Sequence, residues 1–206
     1  PGTMLFERFV QIDQGFTGEQ IFNSYKDDAP LTWKKPHVLH MFFCNLSKIG
    51  GADIERIIEK AELKMGKRPS LVMIDYIGIM AARGSSRYER ISDIAESLKI
   101  IAKSTGTIMV FASQIARKSK DDDQAEIFLH DAKDSGSIEN SSGLVIGAWR
   151  EGEHGERMIL KILKNTKGYA GSRKVVCNFD GPTLKITEQS PISPSDIPPS
   201  RTHADA

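Results

Sequence analysis

Two short apolar runs joined by one amphipathic helix constrain this sequence more than any other feature. Leu71-Val72-Met73-Ile74 is continuously apolar and closes on Asp75, while Thr107 to Ala112 is a second β-rich run closing on Ser113-Gln114. Between them Ile91, Ile94, Ala95, Leu98, Ile101 and Ala102 fall on one face of a helix of 3.6-residue period. A helix connecting two buried strands is the crossover that parallel strands require. The pattern predicts an α/β fold with a largely parallel sheet.

The flanking segments extend that reading. Met4 to Lys26 has helical spacing broken at Gly15, and Thr17 with Gln20 suits a capping box for a second short helix. Asp27 to Pro36 is turn-rich, and Val38 to Phe43 reads as a buried strand. Ile54, Ile57, Ile58, Ala61 and Met65 form another helical face, closed by Gly66 with Pro69 just beyond. After residue 115 the character changes. Lys118 to Gln124 is a charged loop, and strand-like segments follow at 143–149, 157–164 and 173–179, a meander of antiparallel strands. From Gln189 the chain is Pro- and Ser-rich and reads as a disordered tail.

Composition excludes several classes. With 206 residues, 39% of them hydrophobic, the chain can bury a core without a disulfide or metal staple. Its two cysteines lie far apart, so a disulfide scaffold is excluded and a reducing cytosolic compartment is the expectation. No apolar run approaches the ~20 residues of a membrane span, and the first residues lack the pattern of a secretory signal. Basic and acidic residues nearly cancel, 28 against 27, so any nucleic-acid contact must use local patches.

Asp75 and Gln114 end successive apolar strands, which places them at the edge where open α/β sheets bind ligands. An Asp there can hold Mg²⁺ through its water shell, and a neutral amide beside it can sense a γ-phosphate. The bland alternative for each is a solvated strand end. The stretch His130-Asp131-Ala132-Lys133-Asp134-Ser135-Gly136-Ser137-Ile138-Glu139 is small, polar and glycine-bearing. Backbone can approach a ligand there and Lys133 offers a phosphate contact, although a capped loop before a short helix has the same composition. Arg157 to Lys174 carries six basic residues and no acidic one. Lys164 and Lys167 flank the end of a strand, where an ammonium can reach a phosphate, and a solvated basic hairpin is the plainer reading. His37, His40 and Cys44 do not make a metal site, because His37 and His40 would point to opposite faces of a strand. No phosphate loop G-x-x-x-x-G-K-[ST] is present: Arg68 follows Gly66-Lys67, the only Gly-Lys pair.

Together these residues resemble the C-terminal ATPase domain of DnaB-type replicative helicases. LVMIDYIGIM (71–80) is similar to that family's Walker B strand, ISDIAESLKIIAKSTGTIMVFASQIAR (91–117) to the helix and strand that follow, and HDAKDSGSIENSSGLVIGAWR (130–150) to its Asp-Leu-Arg-Glu-Ser-Gly-Ser-Ile-Glu segment. The likeness runs from about residue 4 to 187. It implies a RecA-like P-loop NTPase core with a mostly parallel sheet and C-terminal antiparallel strands. Residues 1–188 would be a partial helicase motor domain and 189–206 its tail. It also implies Asp75 as the Mg²⁺-holding acid, Gln114 as the link between nucleotide and DNA loops, and Lys133, Asp134 and Gly136 as DNA contacts.

By the same resemblance ATP and Mg²⁺ are the cofactors, and single-stranded DNA, a ring (hexameric) of identical subunits, a primase and a helicase loader are the partners. The location is cytoplasmic, at a nucleoid or in a phage-infected cell. Two departures accompany it. The family's Walker A loop and catalytic glutamate would precede Pro1, so the chain reads as a fragment or half of a split gene product, inactive alone and lacking the central strand of its sheet. The family's Lys-x-Arg pair, aimed at the neighbouring subunit's γ-phosphate, becomes Lys164-Asn165-Thr166-Lys167, with Thr166 at the arginine position and Lys167 the remaining cation. The alternatives are a recombinase-type or KaiC-like ATPase and a non-catalytic interaction module of the same fold.

Overall fold

Ser86 and Glu89 start the helix that organises the core. In the computed structural model, which describes residues 2–29, 31–32, 41–46, 48–115, 126–132, 135–152, 154–168, 170 and 174–189, α4 spans Arg87–Thr105. Ser86 Oγ accepts from the Glu89 amide at 3.1 Å, and the Glu89 carboxylate accepts from Ser85 and Ser86. These bonds, the Ser85 hydroxyl foremost, hold the Glu89 carboxyl below the usual carboxylate range. Gly106 ends the helix at φ +67°, a backbone conformation that costs glycine nothing.

The face of α4 expected from the sequence is the buried one: Ile91, Ile94, Ala95, Leu98 and Ile101. It packs with Ile54 and Ile58 of α3 (Gly51–Met65) and with Ile77, Met80 and Ile138. The remaining helices are α1 (Gly2–Gln14) and α2 (Gly18–Lys26), the latter opened by the Thr17–Gln20 capping box. A short α5 (Ser135–Ser141) follows later in the chain. No helix among the described residues is long and apolar enough to cross a membrane.

The strands β1 (Leu71–Ile74) and β2 (Ile108–Phe111) pair in parallel, in the register Leu71 to Ile108 through Ile74 to Phe111. Val72, Ile74, Met109 and Phe111 face the α4 core. Leu71, Met73, Ile108 and Val110 form the other face and are exposed, Met73 by 70%. Among the described residues the second sheet is antiparallel throughout: β3 (Leu144–Glu151), β4 (Arg157–Asn165), β5 (Lys174–Asp180) and β6 (Lys185–Glu188), in that order. Its own core is Ile127, Trp149 and Ile159, with Leu163 and Val176 against it.

Three features differ from the sequence reading. Met41–Phe43 form no strand: Phe43 packs its ring against Phe9 of α1 at 5.7 Å and Phe42 lies 5.7 Å from the Lys64 ammonium, so these aromatics meet helices instead of a ladder. Val38–His40, and with them the His37–His40 spacing, fall outside the described residues, as does the 118–124 loop. A fourth antiparallel strand, β6, follows the three expected ones. Gln189 closes the sheet, donating its amide to Val176 O at 3.2 Å and its side chain to Asn178 at 2.7 Å, and 190–206 lie outside the described residues.

Candidate functional site

The parallel pairing of β1 and β2 delivers Asp75 and Gln114 to one edge. Asp75 follows the last paired residue of β1, where Ala112 N donates to Ile74 O and Ile77 N donates to Ala112 O, each at 3.0 Å. Gln114 lies two residues beyond that junction, and both side chains are exposed. Among the described residues no cation pairs with the Asp75 carboxylate, so its lone pairs are available to the water shell of a divalent ion.

Beyond Gln114, Ile115 forms an isolated antiparallel bridge with Ala132. That bridge ties the strand end bearing Gln114 to the residue before Lys133. Lys133 and Asp134 lie outside the described residues. Gly136 is the second residue of α5, and a Cβ built on it would meet nothing closer than Tyr88 Oη at 3.7 Å, an ordinary contact. Its missing side chain is therefore not demanded by packing within the chain.

α5 is held from two sides. Ser137, buried, shares a short hydrogen bond with Ser92 of α4, and Ile138 enters the main core. From β4, Lys164 Nζ donates to the Glu139 carbonyl. A β-bulge opposite Val145/Ile146 sets this geometry, since Leu163 turns into the second core while Lys164 pairs with Val145 and reaches α5. The two lysines singled out by the sequence thus differ. Lys164 is half-buried and anchored, whereas Lys167 is exposed in the following turn, its amide donating to Asn165 Oδ1 at 3.1 Å. Thr166 is exposed, and its amide and Oγ1 both donate to Gly143 O, at 2.9 and 3.2 Å.

The basic stretch 157–174 is not simply a solvated hairpin. Glu126 accepts from Lys161 at 2.5 Å and from Lys174 at 2.7 Å, and the Lys161 side chain is only 14% exposed. Lys161, then Lys174, hold the Glu126 carboxyl below the usual range. A carboxyl depressed in this way contributes stability above its unfolded pKa and loses it as pH falls through the folded one. Wild type is therefore expected to melt above Glu126→Gln at pH 7. The gap should close as pH falls through and below the ordinary carboxylate pKa of about 4.3, and melting curves across that range test it. Sequence reasoning missed Glu126 because it lies 35 residues from Lys161. It also missed Phe128, and it named His130 only as the first residue of the 130–139 stretch; their joint signal is ring spacing of i, i+2.

With this geometry in place, comparisons supply relatives. The chain matches the family model described as the DnaB-like helicase C terminal domain over residues 15–187. A probable plasmid replicative DNA helicase of Chlamydia muridarum is 29% identical over 126 residues, covering 61% of this chain and 27% of the relative. The replicative DNA helicase DnaB of Mycoplasma genitalium is 30% identical over 139 residues, covering 61% and 29%. In fold, a solved structure described as an ATPase domain matches with a TM-score of 0.77 at 18% identity, over 92% of this chain and 71% of that one. A DnaB-like replicative helicase, from a structure described with its interactions with primase, gives a TM-score of 0.73 at 19% identity, over 87% of this chain and 46% of that one. The aligned segment spans less than a third of the length of the two curated relatives.

Proposed function

The chain belongs to the DnaB-like helicase C-terminal domain family, and from that premise we propose that it is the motor segment of an ATP-driven ring that translocates on single-stranded DNA and unwinds duplex. The observation that carries the reading is the Ile115–Ala132 bridge, which joins the Gln114 strand end to the Lys133–Gly136 segment. Asp75 would hold Mg²⁺ through its water shell, and the ion when bound with ATP neutralises phosphate charge. Gln114 hydrogen-bonds the γ-phosphate and shifts when that group leaves. The bridge carries this shift to Lys133 and Gly136, which track the DNA backbone with little sequence preference. Lys164, and with it Lys167, approaches the nucleotide of the neighbouring subunit. A ring of identical subunits follows from such shared sites, and a primase is the partner class a replicative motor would meet.

The test is ATP hydrolysis with and without single-stranded DNA, on the longest natural product that contains these residues. DNA-stimulated turnover supports the motor. A folded protein silent in both conditions overturns it in favour of a non-catalytic module, the reading that Thr166 favours by spending its side chain on Gly143 at the family's arginine position.

Gly136→Ala separates packing from function. Alanine has a higher helix propensity than glycine, by up to about 1 kcal/mol in a helix interior and less in a first turn, and its Cβ finds room here. The variant is expected to melt no lower than wild type, yet to bind an oligothymidine several-fold more weakly because the Cβ holds the phosphates off the backbone. Equal affinity in a titration would remove Gly136 from the DNA contacts.

A further inference from the structure

We propose that Phe128 and His130 form a base-stacking platform for the single-stranded DNA, a proposal that rests on the motor reading above. The two rings are parallel within 4°, their centroids 5.6 Å apart, across the 3-10 turn Leu129–Asp131. Phe128 is 44% exposed and the His130 side chain 80% exposed. Parallel rings held in water are an unusual use of apolar area, and here the turn beneath fixes them. Asp131 is buried, its Oδ2 accepts from the Phe128 amide at 2.7 Å, and its own amide donates to Phe128 O at 3.0 Å. The platform is thus ordered before any ligand arrives.

Its surroundings select the ligand. The Lys161 ammonium lies 5.3 Å from the Phe128 centroid and shares Glu126 with Lys174, while the Asp131 carboxylate, 3.6 Å from His130 Nε2, lies on the buried side of the turn, so the cations flank the rings from β4 and β5. Aromatic faces beside ammonium groups match a polymer of π-faced bases on an anionic backbone. The chain runs from His130 to Lys133 in three residues, at most about 11 Å fully extended, so one strand can stack on the first while its phosphates reach the second. Two ring contacts of 3.5–4.0 Å would need about 7 Å or more, so a base does not insert between the rings. It extends the stack on the outer face of His130.

Binding of a labelled oligothymidine and of an abasic oligonucleotide of equal length, on the full natural chain, tests this. His130→Ala is expected to weaken the oligothymidine roughly five- to a hundred-fold, and Phe128→Ala, which removes only the ring that backs His130, by less, with the abasic strand and the salt dependence unchanged in both. Lys133→Ala should weaken both strands and reduce the log–log salt slope by about 0.7. His130→Trp should restore base-dependent binding, and an unchanged melting temperature in His130→Ala excludes unfolding as the cause. If both alanine variants match wild type while Lys133→Ala weakens binding, the platform is overturned and the DNA reading stands. Equal losses on the two strands also overturn it. Wild type binding neither strand would sink the DNA reading and the platform together.

Discussion

Asp75→Ala is expected to lower ATP turnover by roughly 10²- to 10³-fold, the loss typical when a group that stabilises developing charge is removed. The same substitution should leave the fold intact. Asp75 lies past the last paired residue of β1, is exposed, and has no ion-pair partner among the described residues, so its truncation belongs with surface changes of about 0.5 kcal/mol or less. Catalysis and stability therefore part company at this residue. Asp75→Asn sharpens the test, because the amide keeps shape and hydrogen bonding but not the negative charge that holds a hydrated cation. Phosphate release measured for both variants, beside their melting curves, should show two folded and nearly silent proteins. Wild-type turnover in Asp75→Ala would remove the residue from the nucleotide site.

The parts of this molecule legible in the sequence are those fixed by local periodicity. Leu98, 1% exposed, and Ile94 declare themselves through the 3.6-residue spacing of α4, and Asp75 and Gln114 through the ends of uninterrupted apolar runs. The Thr17–Gln20 capping box and the left-handed Gly66 terminus are equally local. What was hidden is non-local or chemically ordinary. β6 has one large apolar residue in four, Ile186 opposite Phe179, and is exposed along its length, so its composition gives little strand signal. Phe42 and Phe43 have strand composition but meet Lys64 of α3 and Phe9 of α1, contacts between distant segments that no local pattern encodes. The Ile115–Ala132 bridge joins residues 17 apart in sequence, and the partner of Lys164 is a main-chain carbonyl, which carries no side-chain signature.

That last contact makes Lys164 the residue on which the ring reading can be decided. Within its own subunit the ammonium is tied to the Glu139 carbonyl of α5, the helix that begins with Ser135 and Gly136. Lys164→Ala is expected to lower turnover by about 10²-fold or more if the lysine completes a neighbour's site, somewhat below the 10³-fold and above that a guanidinium contributes, because an ammonium lacks the planar fork. Lys167→Ala, in an exposed turn, should cost less. Mixing distinguishes service to a neighbour from service at home. When Asp75→Ala and Lys164→Ala subunits are combined in equal amounts, an interface is intact wherever Asp75 comes from a Lys164→Ala subunit and Lys164 from an Asp75→Ala neighbour. About a quarter of the interfaces in a random closed ring meet that condition. Two nearly silent proteins should then recover activity approaching a quarter of wild type if interfaces fire independently, and less if they must fire in turn. If Lys164 acted within its own subunit, every site in the mixture would lack one group, and turnover would stay at the level of the unmixed variants.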